Sequence, residues 1–259
     1  MEKTNGGEMK TVRKALEILE LMLDYQKEIG ITEMAAMIGI NKSTVCKIML
    51  VLQEYGYVVK NPLTSKYHLG NKFITFSTKV MSEMKIRDVA KPYIDKLAEI
   101  TGETINLAII SGTKTMYIEV VNSGENVVQI SNQIGKLENM HCTSVGKALL
   151  AFSPKEFVDE VLATEGLPPV NENTITSAEV FLAELEEVRR RGYAIDERES
   201  LPDVMCVGAP ILDYSGMAIA SISISGYVGR LNEEKWNEFC RIIVNTAKKI
   251  SAQIGGTGY

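Results

Sequence analysis

The stretch 31–69, ITEMAAMIGINKSTVCKIMLVLQEYGYVVKNPLTSKYHL, carries two helix signals, a tight turn and two strand signals in close succession. Thr32 is a suitable N-cap for a helix on which Met34, Ala35, Met37 and Ile38 recur at helical spacing, and Gly39 is a natural stop for it. Asn41 and Ser43 suit the start of a second helix, where Val45, Ile48, Met49 and Leu52 make one apolar stripe and Lys42, Thr44 and Lys47 lie opposite. Gly39 in the turn lets the two helices cross steeply, and Gly56 ends the second. Tyr57-Val58-Val59-Lys60 and Lys66-Tyr67-His68-Leu69 then alternate as strands around the loop Asn61-Pro62-Leu63-Thr64-Ser65, so Lys60 and Lys66 flank the tip of a hairpin.

Two steeply crossed helices followed by a basic hairpin are a module for reading double-stranded DNA. The first residues of the second helix reach base edges in the major groove while the hairpin lies along phosphates. The expected contacts are Asn41, Lys42, Ser43, Thr44 and Lys47 on the reading helix and Lys60 and Lys66 on the wing. Upstream, Val12, Ala15, Leu16, Ile18, Leu19, Met22 and Leu23 form the apolar face of a third helix that closes this small core, leaving Arg13 and Lys14 for the DNA backbone. A helical hairpin beside a β-hairpin is also a common packed subdomain, but the charge distribution favours the DNA reading. Residues 1–72 hold ten Lys and Arg against eight Asp and Glu, a balance of +2, and the remainder holds 18 against 25, a balance of −7.

The 259 residues exceed one such module by far and call for a second domain with its own core. No apolar run approaches the roughly 18 residues that cross a bilayer, and no charged-then-apolar leader opens the chain, so the expectation is a cytoplasmic protein with no membrane partner. Cys46, Cys142, Cys206 and Cys240 are scattered with no C-x-x-C pair, which argues against a disulfide framework or zinc ribbon and suits free thiols in a reducing compartment.

From Gly70 to about Ile86 the residues Phe73, Ile74, Phe76, Val80 and Met84 recur among polar ones as a single joining helix whose apolar surface favours pairing with another chain. The second domain opens with a helix from Asp88 to about Ile100, ended by Thr101-Gly102. Strands follow at Thr104–Ile110, Thr115–Val121 and near Val127–Ser131. Helices at Ser144–Phe152, Pro154–Ala163 and Ser177–Arg191 precede strands at Tyr193–Asp196, Cys206–Leu212 and Ala218–Ser225 and a last helix from about Asn232. Asp213-Tyr214-Ser215-Gly216 is too short for a parallel crossover, so the sheet should be antiparallel and the domain an α+β sensor.

These motifs resemble the IclR family of bacterial transcription regulators. Its winged helix-turn-helix begins "V-x-R-A-L-x-I-L-E" and continues to "S-T-V-x-R" and "Y-x-L-G". Here stand Val12-Arg13-Lys14-Ala15-Leu16-Glu17-Ile18-Leu19-Glu20, Ser43-Thr44-Val45-Cys46-Lys47 and Tyr67-His68-Leu69-Gly70, with Lys47 in place of the usual Arg. Its effector domain, similar in architecture to GAF domains, is matched by Thr101-Gly102-Glu103-Thr104, by Thr143-Ser144-Val145-Gly146-Lys147-Ala148-Leu149-Leu150-Ala151 and by Ala209-Pro210-Ile211-Leu212-Asp213-Tyr214-Ser215-Gly216. Ser144 replaces the usual Ala. The resemblance implies a winged helix-turn-helix domain at 9–70, a linker helix at 71–86 and an effector-binding domain at 87–255. It further implies a small organic acid held by the amides of Ser144, Val145 and Gly146 and by the side chains of Asp196, Cys206, Ser223 and Ser225. A helix N-terminus is suited to a carboxylate, and serines two apart on a strand share a face.

Enzymatic alternatives are weaker. Cys142 or Cys206 could serve as a nucleophile with His141 as the base, but adjacent His141 and Cys142 point apart in an extended segment. Gly146-Lys147-Ala148 lacks both the upstream glycine and the hydroxyl of a phosphate loop. A metal on His141, Cys206 and Asp196 is chemically permissible without support from spacing. The expectation is therefore a DNA-binding regulator, more readily a repressor of a catabolic operon, acting as a homodimer or dimer of dimers on a palindromic operator, with no catalytic residues, no metal and no cofactor. The competing class is a small-molecule sensor or cysteine-dependent enzyme whose N-terminal module mediates protein contacts only.

Overall fold

The computed structural model describes residues 6–25, 27–83, 85–122 and 132–256, and the chain divides into two compact units, Met1–Glu83 and Met84–Tyr259. In the first, α1 (Gly6–Asp24), α2 (Ile31–Ile38) and α3 (Lys42–Glu54) are followed by an antiparallel hairpin of β1 (Val58–Lys60) and β2 (Tyr67–Leu69), and by α4 (Lys72–Glu83). Ile18, Met22, Ile29, Met34, Val45, Ile48, Met49, Val58 and Tyr67 form its core.

Local chemistry sets the joints of this unit. Gly39 caps α2 at φ 73° and donates its N–H to the Ala35 carbonyl, and α3 leaves that turn at 117° to α2. Asn41 caps α3 by accepting the Thr44 amide at 2.9 Å. Thr32 is not the cap of α2: the helix begins one residue earlier, at Ile31, and the Glu33 carboxylate reaches back to the Gly30 amide at 2.8 Å. Ser43 likewise lies inside α3 rather than at its cap, donating its hydroxyl to Asn41 Oδ1. The apolar face expected for α1 is only half used. Ile18 and Met22 are buried with Ala15 and Leu19 packed against them, whereas Val12, Leu16 and Leu23 stay exposed on a separate stripe.

The second unit runs α5 (Lys85–Thr101), β3 (Thr104–Ser111), β4 (Lys114–Val121), β5 (Leu137–Glu138), α6 (Ser144–Ala151), α7 (Lys155–Thr164), α8 (Ala178–Arg191), β6 (Ala194–Glu197), β7 (Val204–Leu212), β8 (Ala218–Tyr227) and α9 (Glu233–Gln253). The segment expected as a single joining helix holds the whole of α4 and the start of α5, on either side of the division between the units. The strand expected near 127–131 lies outside the described residues, and the short β5 had no clear sequence signal.

One antiparallel sheet, ordered β5-β4-β3-β8-β7-β6, is covered on both faces. Alternation sorts the side chains. Ile222 and Ile224 of β8, Val207, Ala209 and Ile211 of β7, and Ile105 and Leu107 of β3 face α5 and α9, whose Ile94, Leu97, Phe239, Ile243 and Ile250 complete the main core. The interleaved Ser221, Ser223 and Ser225 face the other way, toward α6, and Ser221 donates to the Val145 carbonyl at 3.0 Å. On that side Leu149, Leu150, Val161, Phe181 and Leu185 form a second cluster that holds α6, α7 and α8 together. The segment Ser-Ile-Ser-Ile-Ser is therefore buried on both faces, its isoleucines supplying the core and its serines a polar floor.

Candidate functional site

In the N-terminal unit Lys42, Ser43 and Lys47 are exposed on α3, Thr44 is half-buried, and Asn41 stands at the helix start with its side-chain oxygen committed to the cap. Arg13 is exposed on α1. On the wing the Lys60 ammonium lies 5.7 Å from the centre of the Tyr67 ring, and Lys66 pairs with Glu33 of α2 at 3.2 Å. The Asn61 side chain organises the hairpin loop, accepting the Leu63 amide and donating to Glu28. Tyr57 packs against Phe73 and Phe76 of α4, with ring centres 5.4 Å and 5.8 Å away. The Val80 side chain lies outside the described residues.

In the second unit a cavity of about 80 Å³ opens between the start of α6 and the polar floor of the sheet. Of the residues expected at an effector site, the fold brings Ser144, Asp196, Cys206, Ser223 and Ser225 to its wall. They converge because the strands are in register: Ser225 pairs with Cys206 across β8 and β7, and Cys206 with Asp196 across β7 and β6. Val145 and Gly146 are not on that wall. Val145 packs with Ala108 and Tyr117, and the Gly146 amide already donates to the Thr143 hydroxyl at 3.2 Å. Gly146 is glycine because a Cβ there would meet the Met140 carbonyl at 2.3 Å. Among the described residues no acceptor meets the amides of Ser144 and Val145, the first two of α6.

Asp196 is buried and tightly held. Its carboxylate accepts the Glu199 amide at 2.7 Å, the Ser200 amide at 3.3 Å and the Ser200 hydroxyl. Burial nonetheless outweighs these bonds and raises its pKa to about 6, with the Glu199 charge adding to the shift. Glu199 in turn pairs with the fully buried Lys147 of α6, which also faces Glu184 at 4.0 Å, so Lys147 is an internal ion-pair partner and does not line the cavity.

Sequence reasoning missed several members of the wall. Tyr117, Asn132, Asn139, Cys142, Thr143 and Ser200 all face the cavity. Asn106, fully buried on β3, donates to both Ser223 and Ser225 at 3.1 Å and accepts from Asn132 at 3.0 Å. A polar amide in the middle of the apolar run Thr-Ile-Asn-Leu-Ala was the available signal.

Among the described residues, the Cys-His and His-Cys-Asp groupings considered from the sequence are not brought together. Burial pushes the Cys142 thiol up to about 12 and raises that of Cys206 as well, so both remain protonated and poorly nucleophilic. His141 turns to the Pro168 carbonyl, 3.0 Å from Nε2, and to the edge of Phe181, away from Asp196 and Cys206. Among the described residues no group of three or more His, Cys, Asp or Glu could hold a metal ion. No single helix there is long and apolar enough to cross a membrane.

Comparison with known proteins identifies both units. The model of the IclR helix-turn-helix domain fits residues 11–62, and that of the bacterial transcriptional regulator IclR C-terminal domain fits residues 78–252. The HTH-type transcriptional regulator KdgR of Escherichia coli is 31% identical over 249 residues, 96% of this chain and 94% of its own. XynR of the same organism is 29% identical over 247 residues, 95% and 98% of the two chains. The crystal structure of the Thermotoga maritima IclR superposes with a TM-score of 0.78 at 34% identity, covering 95% of this chain and 99% of that one. With both domain models matched in order, the chain belongs to the IclR family of bacterial transcriptional regulators, DNA-binding proteins with an effector-binding domain and not enzymes.

Proposed function

We propose that this regulator represses a catabolic operon and that a small hydroxy or keto acid, held in the cavity beneath α6, changes its grip on the operator. The observation that carries the effector class is the cavity itself. At about 80 Å³ it admits only a molecule of a few heavy atoms. Its wall offers the start of a helix at Ser144, the hydroxyls of Ser223 and Ser225, the buried carboxyl of Asp196, and Glu138, which is paired with Lys136 at 2.6 Å. A carboxylate suits the helix start, and a hydroxyl or carbonyl two atoms away suits Asp196 and the serines. Asn41, Lys42, Ser43, Thr44 and Lys47 are proposed to meet the operator, with Arg13, Lys60 and Lys66 on phosphates.

Two copies are proposed to act together, because one reading helix contacts too few base pairs for high specificity. The stripe of Val12, Leu16 and Leu23 left exposed on α1 is apolar surface suited to such pairing. The deciding experiment is fluorescence anisotropy on the DNA upstream of the chain's own gene, with two- to four-carbon hydroxy and keto acids added in turn. One acid should shift the operator affinity by roughly 5–150-fold, the range of ordinary allosteric coupling. Operator binding unmoved by every acid would remove the effector assignment, and sedimentation as a monomer with and without DNA would remove the pairing.

A further inference from the structure

We propose that Asn106 is a positioning residue that sets the polarity of the cavity floor, making Ser223 a hydrogen-bond donor toward the ligand and so selecting a carboxylate, which presents an acceptor oxygen at both positions, over an amide, which presents an NH2 donor at one of them. The inference rests on the effector reading of this cavity and goes beyond it by assigning what decides acid over neutral ligand. Asn106 is completely buried, so its amide must be satisfied internally. Its Nδ2 has two hydrogens, and the two acceptors at hand are Ser223 Oγ and Ser225 Oγ, each at 3.1 Å. Its Oδ1 accepts from Asn132 at 3.0 Å, which fixes the orientation of the amide.

Each serine hydroxyl has one hydrogen, and once its oxygen accepts from Asn106 that hydrogen must go elsewhere. For Ser225 the neighbour is Cys206, its partner across β8 and β7, which in turn pairs with Asp196 across β7 and β6. A directed row results, from Asn132 through Asn106 to Ser225, whose hydroxyl is left beside Cys206. Ser223 sits beside that row, and among the described residues no acceptor meets its hydrogen, while its side chain lines the cavity. That hydrogen is the donor the floor offers to a ligand. Were the amide replaced by a carboxylate, both serines would turn their hydrogens to residue 106 and present lone pairs to the cavity instead.

The test compares lactate and pyruvate with their neutral amides, lactamide and pyruvamide, by ligand-observed NMR and calorimetry on the full-length protein. The parent should bind at least one acid more than tenfold tighter than its amide. Asn106→Asp should lower the acid-to-amide affinity ratio at least tenfold, and Asn106→Ala, which frees the hydroxyls to turn, should lower it less. A purely structural role for Asn106 would weaken acid and amide alike and leave the ratio at the parent value, which would overturn the proposal. Should Asn106→Asp not fold, the ratio for Asn106→Ala decides on the same criterion. If the parent prefers neither acid over its amide, the effector reading of the cavity falls, and this inference with it.

Discussion

Gly208 of β7 lies directly under Ser144 at the start of α6, so close that a Cβ on Gly208 would come within 2.9 Å of the Ser144 carbonyl. The helix start can rest on the sheet, and the cavity can have a roof, because residue 208 has no side chain. Ser223 is the strand partner of Gly208, which places the polar floor beside this contact. Gly208→Ala should therefore lift the first turn of α6. We expect a loss of about 1–3 kcal/mol in stability from overpacking, and at least a tenfold loss of affinity for the effector acid. Thermal unfolding and calorimetry on one preparation measure both, and an unchanged affinity would separate the cavity from ligand binding.

Binding of an acid should depend on pH with a definite sign. Asp196 is raised from 3.8 to about 6, mainly by burial, so folding disfavours its charged form. Its contribution to stability is fully present below its unfolded value and is lost as pH rises through about 6. An ionised Asp196 also repels a carboxylate ligand. Affinity should therefore rise as pH falls from 7.5 to 5.5, by up to about tenfold per unit where one proton is taken up. Asp196→Asn keeps an oxygen for the Glu199 and Ser200 amides and should flatten that profile. A slope that survives the substitution assigns the proton to another group.

On the reading helix, replacing Thr44 and Lys47 together by Ala should abolish preference for the operator in a footprint while the melting curve moves little, since Lys47 is exposed and Thr44 half-buried. Asn41→Ala acts differently. It removes the cap that holds the Thr44 amide and should cost about 1 kcal/mol of stability. Operator selectivity retained by the double variant would move base reading off α3.

The two wing lysines should not be equivalent. Lys60→Ala should reduce the salt slope of DNA binding by about one unit. Lys66→Ala should reduce it less, because Glu33 stands 3.2 Å from the Lys66 ammonium and competes with a phosphate for it. Glu33→Gln should accordingly strengthen DNA binding at low salt. Equal slopes for the two lysine variants would mean that the Glu33 pair opens fully on DNA.

Much of this protein is determined by its sequence alone, because the features concerned are local or periodic. Gly39, Asn41 and the stripe of Val45, Ile48 and Met49 specify the turn and the second helix through backbone and capping chemistry, which needs no distant partner. The alternation of serine and isoleucine over 221–225 likewise specifies a strand with two unlike faces. That Ser144, Asp196, Cys206, Ser223 and Ser225 share one cavity wall was implied by the family resemblance and not by any local pattern of residues, and the same expectation included Val145 and Gly146, which are not on that wall. Tertiary structure decided what such patterns cannot express. Which amides of α6 remain open depends on the Thr143 hydroxyl having claimed that of Gly146. Whether Lys147 faces a ligand or an internal carboxylate depends on Glu199, brought beside it by the turn after β6. Asn106, 117 and 119 residues from the serines it orients, became part of the floor only when β3 paired with β8. Sheet register brings together residues whose separation along the chain carries no signal, and burial then obliges each polar group among them to find a partner.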